Sequence, residues 1–185
     1  NAAGIDFPIM VDTNCPWTPE KAKRMALAFK DLDVYWLEEP IFPPEDFVAL
    51  ARLRAETGVA VAIGENACTA FQFKQMIDAG AADYLQPSVT KVGGITEARK
   101  VAVLAETHGV SMMPHAPYFG PGFLATLHLM ASVPNSGLAE WFYLEREACI
   151  YGGAIAPKNG MFTLPDGPGL GIEPDAEVLK DYAAD

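Results

Sequence analysis

The chain has 185 residues, half of them apolar and 20% charged, which predicts one soluble globular domain with enough apolar material for a sizeable core. Its 13 basic and 24 acidic residues give a formal charge of −11, and this negative field argues against nucleic acid or an anionic membrane surface as a partner. Three widely spaced cysteines, the lack of an apolar run of the roughly 18–20 residues that a membrane span needs, and the lack of a signal-peptide pattern predict a cytoplasmic protein.

Six short apolar runs follow one another along the chain, and each ends in a polar residue. The first run, "FPIMVDTN", leads to a segment with helical periodicity, where Thr18 is placed to cap a helix that begins with Pro19. Gly58 and Gly80 stand where the second and third helices should end. The later runs are "VYWLEE", "VAVAIGEN", "ADYLQPS", "VSMMPH" and "SGLAEW", the sixth predicted strand. Strands that alternate with helices in this way indicate parallel βαβ units.

The polar residues that end the six runs are regularly spaced. They are separated by 26, 27, 23, 27 and 25 residues, and they are Asp12, Glu38, Glu65, Ser88, His115 and Glu140. One strand, one helix and two loops account for such a period, and eight such units close a barrel. Because parallel strands end on the same side, we expect all six residues at the carboxyl ends of the strands, where such barrels carry their active site.

The segment "VYWLEEPIFPP" places two carboxylates at the exit of a buried apolar run. Taken alone, it has three interpretations: a strand that surfaces into a polar loop, an acidic region at the start of a helix, or a metal ligand. The spacing brings Asp12 and Glu65 to the strand ends on either side of Glu38. Three carboxylates that converge in a partly buried site repel one another, which favours a divalent cation that prefers oxygen. With no Cys or His among these three ligands, Mg²⁺ is favoured over zinc.

The motifs "VDTN", "WLEEP", "GEN", "KVGG", "MPH", "AEW" and "LPDGPGLGI" together resemble the enolase superfamily, and within it the mandelate racemase-like subgroup. The resemblance covers essentially the whole chain. It implies an α/β fold that is part of a TIM-type barrel, with strands three to eight of a modified (β/α)7β barrel in residues 1–150. Residues 151–185 would be the C-terminal segment that returns toward a capping domain.

The resemblance also implies the site and its reaction. The Mg²⁺ ligands would be Asp12, Glu38 and Glu65, whereas Glu39 would lie behind them. Enzymes of this kind bind a small carboxylate to the metal and remove the proton α to it, which gives an enediolate. The side chains implied in catalysis and in contacts with the substrate are His115 as base or acid, Glu140 as a donor to the second carboxylate oxygen, and Asn14 and Asn66 beside the metal and substrate. Tyr118 is predicted either to line the substrate pocket or to belong to a rigid turn.

Two departures from the family pattern matter. Ser88 occupies the place of an Asp that usually pairs with the histidine, so its hydroxyl can orient His115 but cannot supply negative charge. The chain also starts at the third strand, so we expect a protein about twice as long that includes a capping domain, the first strands and the second-strand lysines, and that forms a homo-oligomer.

The reaction expected first is dehydration of an acid sugar or a related hydroxy acid, because it needs one base and one acid. Racemisation or epimerisation of a hydroxy or amino acid derivative is the alternative, and it needs a base on each face of the substrate. The third possibility is a metal-binding homologue that has lost its chemistry.

Overall fold

The computed structural model describes residues 7–183, which form one parallel sheet covered by helices. The five strands are hydrogen-bonded in chain order. They are β1 (Met10–Asp12), β2 (Trp36–Glu38), β3 (Val61–Ile63), β4 (Tyr84–Leu85) and β5 (Ser111–Met112). All four strand pairs are parallel, so the predicted βαβ units and the class of fold are confirmed.

Five helices connect and follow these strands, close to where the periodicity predicts them. They are α1 (Pro19–Lys30), α2 (Phe47–Thr57), α3 (Ala70–Ala79), α4 (Ile95–Thr107) and α5 (Pro121–Ala131). The Thr18 side chain accepts a hydrogen bond from the Lys21 N–H and caps α1. Gly58 and Gly80 end α2 and α3 in the left-handed conformation, as predicted.

Burial differs between the central and the edge strands of the sheet. The strands β2 and β3 are buried at every position, whereas β1 has two exposed positions of three. The register pairs Asp12 of β1 with Glu38 of β2, and it pairs Ile63 of β3 with Leu85 of β4. The carboxyl ends of the strands therefore lie side by side at one edge of the sheet.

The sixth predicted strand, over 136–141, is wrong in its extent. Only Ser136 forms a parallel bridge, to Met112 of β5. The Gly137 N–H still donates to the Met112 carbonyl at 3.0 Å, but the Leu138 N–H turns to Met113 Sδ at 3.0 Å. The ladder therefore stops after one residue, although the segment still carries Glu140 to the rim of the sheet.

The segment after residue 150 packs against α5. It contains a 3-10 helix over Gly152–Ile155 and a short helix, α6 (Ala176–Asp181). Tyr151 and Ile155 are buried in a second apolar cluster with Phe123 and Leu124 of α5. Across residues 7–183, no helix combines the length and the apolar character that crossing a bilayer requires.

Candidate metal and acid–base site

Two carboxylates and one imidazole converge at the carboxyl edge of the sheet. Within residues 7–183, Glu38, Glu65 and His115 bring ligand atoms within 4.8 Å of one another. Glu38 ends β2, while Glu65 and His115 lie in the loops that directly follow β3 and β5. Both glutamates are buried, with exposed fractions of 9% and 7%. This crowding of acidic groups supports the predicted convergence of Glu38 and Glu65.

Asp12 lies beside this cluster and not within it. It is the register partner of Glu38, and its Oδ1 accepts a hydrogen bond of 3.0 Å from the Asn14 N–H. Asp12, Glu38 and Glu140 line one cavity of about 180 Å³. The converging ligand atoms thus include one from His115 in addition to those of Glu38 and Glu65, and Asp12 adjoins them through Glu38.

The Glu38 carboxylate is held by a side chain of its own strand. The buried indole of Trp36, two residues earlier on the same side of β2, donates to Glu38 Oε2 at 2.9 Å. Burial raises the pKa of Glu38 to about 7, the negative charge of Asp12 adds to this, and hydrogen bonds from Gln86 and Trp36 oppose it. A cation would remove the cost of the buried charge.

The neighbouring Glu39 points to the loop after β3. It is 2% exposed, its Oε1 accepts from the Gly64 N–H at 2.9 Å, and the Cys15 thiol lies 3.4 Å from its Oε2. Gly64 has a φ of +128°, and a Cβ there would lie 2.6 Å from Phe73 Cε1, so only glycine fits. Glu39 therefore braces this loop from behind the cluster.

The "VDTN" and "WLEEP" segments are tied together. Thr13 Oγ1 donates to the Glu38 carbonyl at 2.9 Å and lies 3.1 Å from that of Glu39. Asn14, Cys15 and Glu39 all have positive φ values, between 41° and 55°. Backbone strain of this kind persists only where surrounding contacts hold it, and here it surrounds the carboxylates.

His115 is placed between two acidic groups. Its Nδ1 lies 3.0 Å from Glu65 Oε2 and 3.3 Å from Glu140 Oε2, but it is buried and makes no hydrogen bond of good geometry. Burial acts to lower the pKa of His115, yet attraction to Glu140 and Glu65 outweighs it and the pKa is raised. Two glutamates thus supply the negative charge that Ser88 lacks.

Ser88 does not orient His115 directly, contrary to the sequence-based hypothesis. Its fully buried hydroxyl bonds Thr90 Oγ1 at 3.0 Å and the Tyr118 hydroxyl. Tyr118 in turn donates to the His115 carbonyl at 3.2 Å, and its ring packs edge-on against the imidazole. Ser88 therefore reaches the histidine only through Tyr118, because its short side chain is held within its own loop.

The other predicted residues also lie at this rim. Glu140 Oε2 accepts a hydrogen bond of 2.7 Å from the Ala116 N–H, so this oxygen acts as an acceptor here. The Asn66 amide lies 3.5 Å from Glu65 Oε1 and 3.8 Å from Cys15 Sγ. Asn14 is exposed next to Asp12.

Sequence reasoning missed two contributors to the site. Lys91, the lysine of the "KVGG" motif, donates from Nζ to the Glu65 carbonyl at 2.9 Å and so helps to hold the loop after β3. Gln86 is buried directly after β4, two residues before Ser88. Residues two apart on a strand face the same side. Gln86 is two residues before Ser88, and Trp36 is two residues before Glu38, so this spacing would have identified both.

Fold and site together define a β/α-barrel protein with a carboxylate–histidine centre at the carboxyl ends of its strands. The chain belongs to the family described as enolase C-terminal domain-like, whose sequence model matches residues 1–178. The resemblance to the enolase superfamily is thereby confirmed.

The relatives have the same fold and are longer. A 3,6-anhydro-alpha-L-galactonate cycloisomerase of Streptomyces coelicolor is 36% identical over 97% of this chain and 48% of its own length. A mandelate racemase/muconate lactonizing enzyme-like protein of Rubrobacter xylanophilus has a solved structure with a TM-score of 0.92, 32% identity, and coverage of 100% of this chain and 48% of its own. An L-talarate dehydratase of Polaromonas, solved with Mg and L-glucarate, gives a TM-score of 0.81 at 31% identity, over 96% of this chain and 47% of its own. The chain thus spans about half the length of these relatives.

Proposed function

We propose that this chain carries the metal-binding and proton-transfer residues of an enzyme that removes the proton α to a carboxylate and then expels an oxygen from the β carbon. The observation that carries the proposal is the buried convergence of Glu38, Glu65 and His115 within 4.8 Å at the carboxyl edge of a parallel sheet. The function of the whole protein is part of the proposal, because the chain spans about half the length of its relatives.

The donor groups fit a hard divalent cation. Glu38 and Glu65 are buried carboxylates. Among the described residues, Glu65 forms an ion pair only with His115, and Glu38 forms none. Asp12 adds a third carboxylate beside Glu38. Oxygen donors of this kind suit Mg²⁺ better than zinc, and we assign Asp12, Glu38 and Glu65 as its ligands. The magnesium in the related L-talarate dehydratase supports this assignment.

When bound, Mg²⁺ would offset the negative charge that builds up on a substrate carboxylate as its α proton leaves. The chain's own residues supply the proton transfer to the departing oxygen. His115 is held beside Glu65 and Glu140, which favour its protonated form. We assign His115 as the acid that protonates the β oxygen as the C–O bond breaks, and a separate base takes the α proton.

The roles of the surrounding residues follow from their contacts. Tyr118 and Ser88 position the His115 backbone and ring from one side. Glu140 holds the Ala116 N–H and faces the same cavity as Glu38, where it would meet the substrate carboxylate. Asn14 and Asn66 border the carboxylates and are proposed to bind the substrate at the rim.

The chemistry of the relatives favours elimination over racemisation. The L-talarate dehydratase has a name that implies loss of water, in which the β oxygen leaves as hydroxide. The cycloisomerase acts on a 3,6-anhydro acid, a compound whose ring oxygen is attached to the β carbon. Both leaving groups need the same acid at the same place. We therefore propose a small polyhydroxylated acid as substrate, with dehydration as the first candidate and opening of an anhydro ring as the second.

The decisive experiment follows the α proton and the leaving oxygen separately. The full-length gene product is incubated with Mg²⁺ in D₂O with a panel of six-carbon aldonates, aldarates and anhydro acids, and proton NMR records exchange at the α carbon and product formation. We expect one acid to show both. In His115→Asn, exchange should persist while product formation falls by at least about 100-fold.

Three results would contradict the proposal. Absence of both exchange and product for every acid, with Mg²⁺ bound, would leave the chain as a metal-binding homologue without this chemistry. Loss of exchange together with product in His115→Asn would instead make the histidine the base. Retention of near-native turnover by that variant would remove His115 from the mechanism.

A further inference from the structure

Gln86 holds an unsatisfied acceptor in the floor of the site. The side chain follows β4 directly and is only 4% exposed, yet its buried Oε1 has no hydrogen-bond partner among residues 7–183. It lines the cavity of about 180 Å³ that also receives Asp12, Glu38 and Glu140. Buried polar atoms of native proteins are nearly always paired, so an orphaned oxygen that faces a cavity indicates a ligand that donates to it.

The orientation of the amide is set by its neighbour. The Gln86 amide N–H donates a hydrogen bond to the Glu38 side chain, and this bond acts to lower the pKa of Glu38. The nitrogen of Gln86 must therefore face Glu38. Its oxygen is left to face elsewhere in the cavity, and a rotation of the amide by 180° would place two acceptors against each other.

The lining of the cavity selects the chemistry of its occupant. Its ionisable lining groups are carboxylates, which act as acceptors when ionised, and Gln86 adds a fourth acceptor. The rest of the wall offers mainly apolar side chains, namely Met10, Trp36, Met113, Pro114, Leu138 and Ala139. A group that pairs with Gln86 Oε1 must bring its own hydrogen, and a volume of about 180 Å³ accommodates more than one small polar group.

We infer that Gln86 is a specificity-determining residue, which accepts a hydrogen bond from a hydroxyl group of a polyhydroxylated acid. This inference rests on the proposed function and names the feature of the substrate that the floor of the site recognises. A pocket that hydrogen-bonds a hydroxyl discriminates strongly against an analogue without it, because the buried polar group is then left unpaired. Acids with a single α-hydroxyl would not reach Gln86.

The test measures how one substitution changes the affinity of the protein for two acids. Gln86→Met keeps the length of the side chain and removes the acceptor, and Gln75→Met makes the same exchange at an exposed glutamine of α3. Both are made in the full-length gene product carrying His115→Asn, which blocks turnover. Calorimetry with Mg²⁺ present then gives the Kd for L-glucarate, which carries several hydroxyls, and for glycolate, which carries one.

We expect Gln86→Met to weaken L-glucarate at least about tenfold more than it weakens glycolate or Mg²⁺, both of which report the loss of the bond to Glu38. Gln75→Met should change none of the three. Unchanged L-glucarate affinity would overturn the inference, and so would an equal loss for both acids, which would mean that Gln86 accepts from a metal-bound water. A loss of Mg²⁺ affinity as large as the loss for L-glucarate would reduce Gln86 to a support of Glu38.

Binding of the two acids by the parent protein distinguishes a failure of this inference from a failure of the proposed function. If the parent protein binds neither acid in the presence of Mg²⁺, the carboxylate site itself is wrong and the inference is overturned with it. If the parent binds glycolate but not L-glucarate, the carboxylate site stands and recognition of a second hydroxyl is refuted.

Discussion

Carboxylates lie at both ends of the parallel sheet, and the two ends treat them differently. At the amino end, Asp83 precedes β4 and forms a bidentate ion pair with the Arg54 guanidinium, in which Nε donates at 2.7 Å. Asp83 also accepts a hydrogen bond of 2.9 Å from the Val61 N–H. At the carboxyl end, Glu38 and Glu65 are more deeply buried. Within residues 7–183, Glu65 pairs only with His115 and Glu38 has no cationic partner.

The contrast shows how a structural carboxylate differs from a functional one. The protein satisfies Asp83 completely, so this charge stabilises the fold and needs nothing from solution. It leaves Glu38 with a pKa raised to about 7, mainly by burial, which is a cost unless something else binds there. A buried charge that the fold leaves unbalanced is the reason why we propose that this end of the sheet binds a cation.

The largest expected effect is on metal affinity. In Glu65→Gln, a neutral amide replaces a carboxylate that faces a dication, and we expect Mg²⁺ to bind at least about 100-fold more weakly, since even supporting residues of metal sites cost about 10- to 100-fold. Calorimetric titration of the full-length gene product measures this. Glu39→Gln is the control, because Glu39 bonds the Gly64 N–H, and its loss should stay below about 100-fold. Equal losses in both variants would contradict the ligand assignment.

The second effect is on stability without metal. The pKa of Glu38 is about 7 in the folded state and 4.5 ordinarily, so the folded protein retains a proton that the unfolded chain releases. The resulting stabilisation is complete below pH 4.5 and is lost as the pH rises through 7. Glu38→Gln should therefore stabilise the EDTA-treated protein at pH 8 by up to about 3 kcal/mol and have little effect at pH 4. Urea unfolding at the two pH values checks this, and a variant that is less stable at pH 8 would refute it.

The smallest effect belongs to the amino end. Arg54→Met leaves Asp83 without its cation, but the pair is 39% and 26% exposed, so we expect a loss of only about 1–2 kcal/mol in the free energy of unfolding. Mg²⁺ affinity should not change. Lys74→Met, which breaks a surface pair with Asp78 within α3, is the control and should cost about 0.5 kcal/mol or less. If Arg54→Met weakened Mg²⁺ binding, the two ends of the sheet would not be independent.

The sequence predicted the parts of the fold that depend on local signals. Thr18, Gly58 and Gly80 cap helices through their own backbone and side-chain chemistry, and the spacing of about 26 residues placed Glu38 and Glu65 at neighbouring strand ends. These features do not depend on contacts from distant residues, which is why periodicity and capping were sufficient.

The side-chain contacts that the sequence did not predict depend on the direction in which each side chain points in the loop after a strand. Spacing placed Ser88 near His115, but the serine hydroxyl turns to Tyr118, and the imidazole turns to Glu65 and Glu140. These directions are set by tertiary packing and charge. The sixth strand failed for a similar reason, because the Leu138 N–H meets Met113 Sδ where a longer ladder needs a carbonyl.

The most direct test of the account is a crystal structure of the full-length gene product grown with Mg²⁺. We predict one Mg²⁺ with carboxylate oxygens of Asp12, Glu38 and Glu65 at about 2.0–2.1 Å and with His115 released from Glu65. Coordination of the metal by His115 with Asp12 left out would contradict the assignment of the ligands. A site without metal at saturating Mg²⁺ would contradict the central claim that the unbalanced carboxylates at this end of the sheet bind a divalent cation.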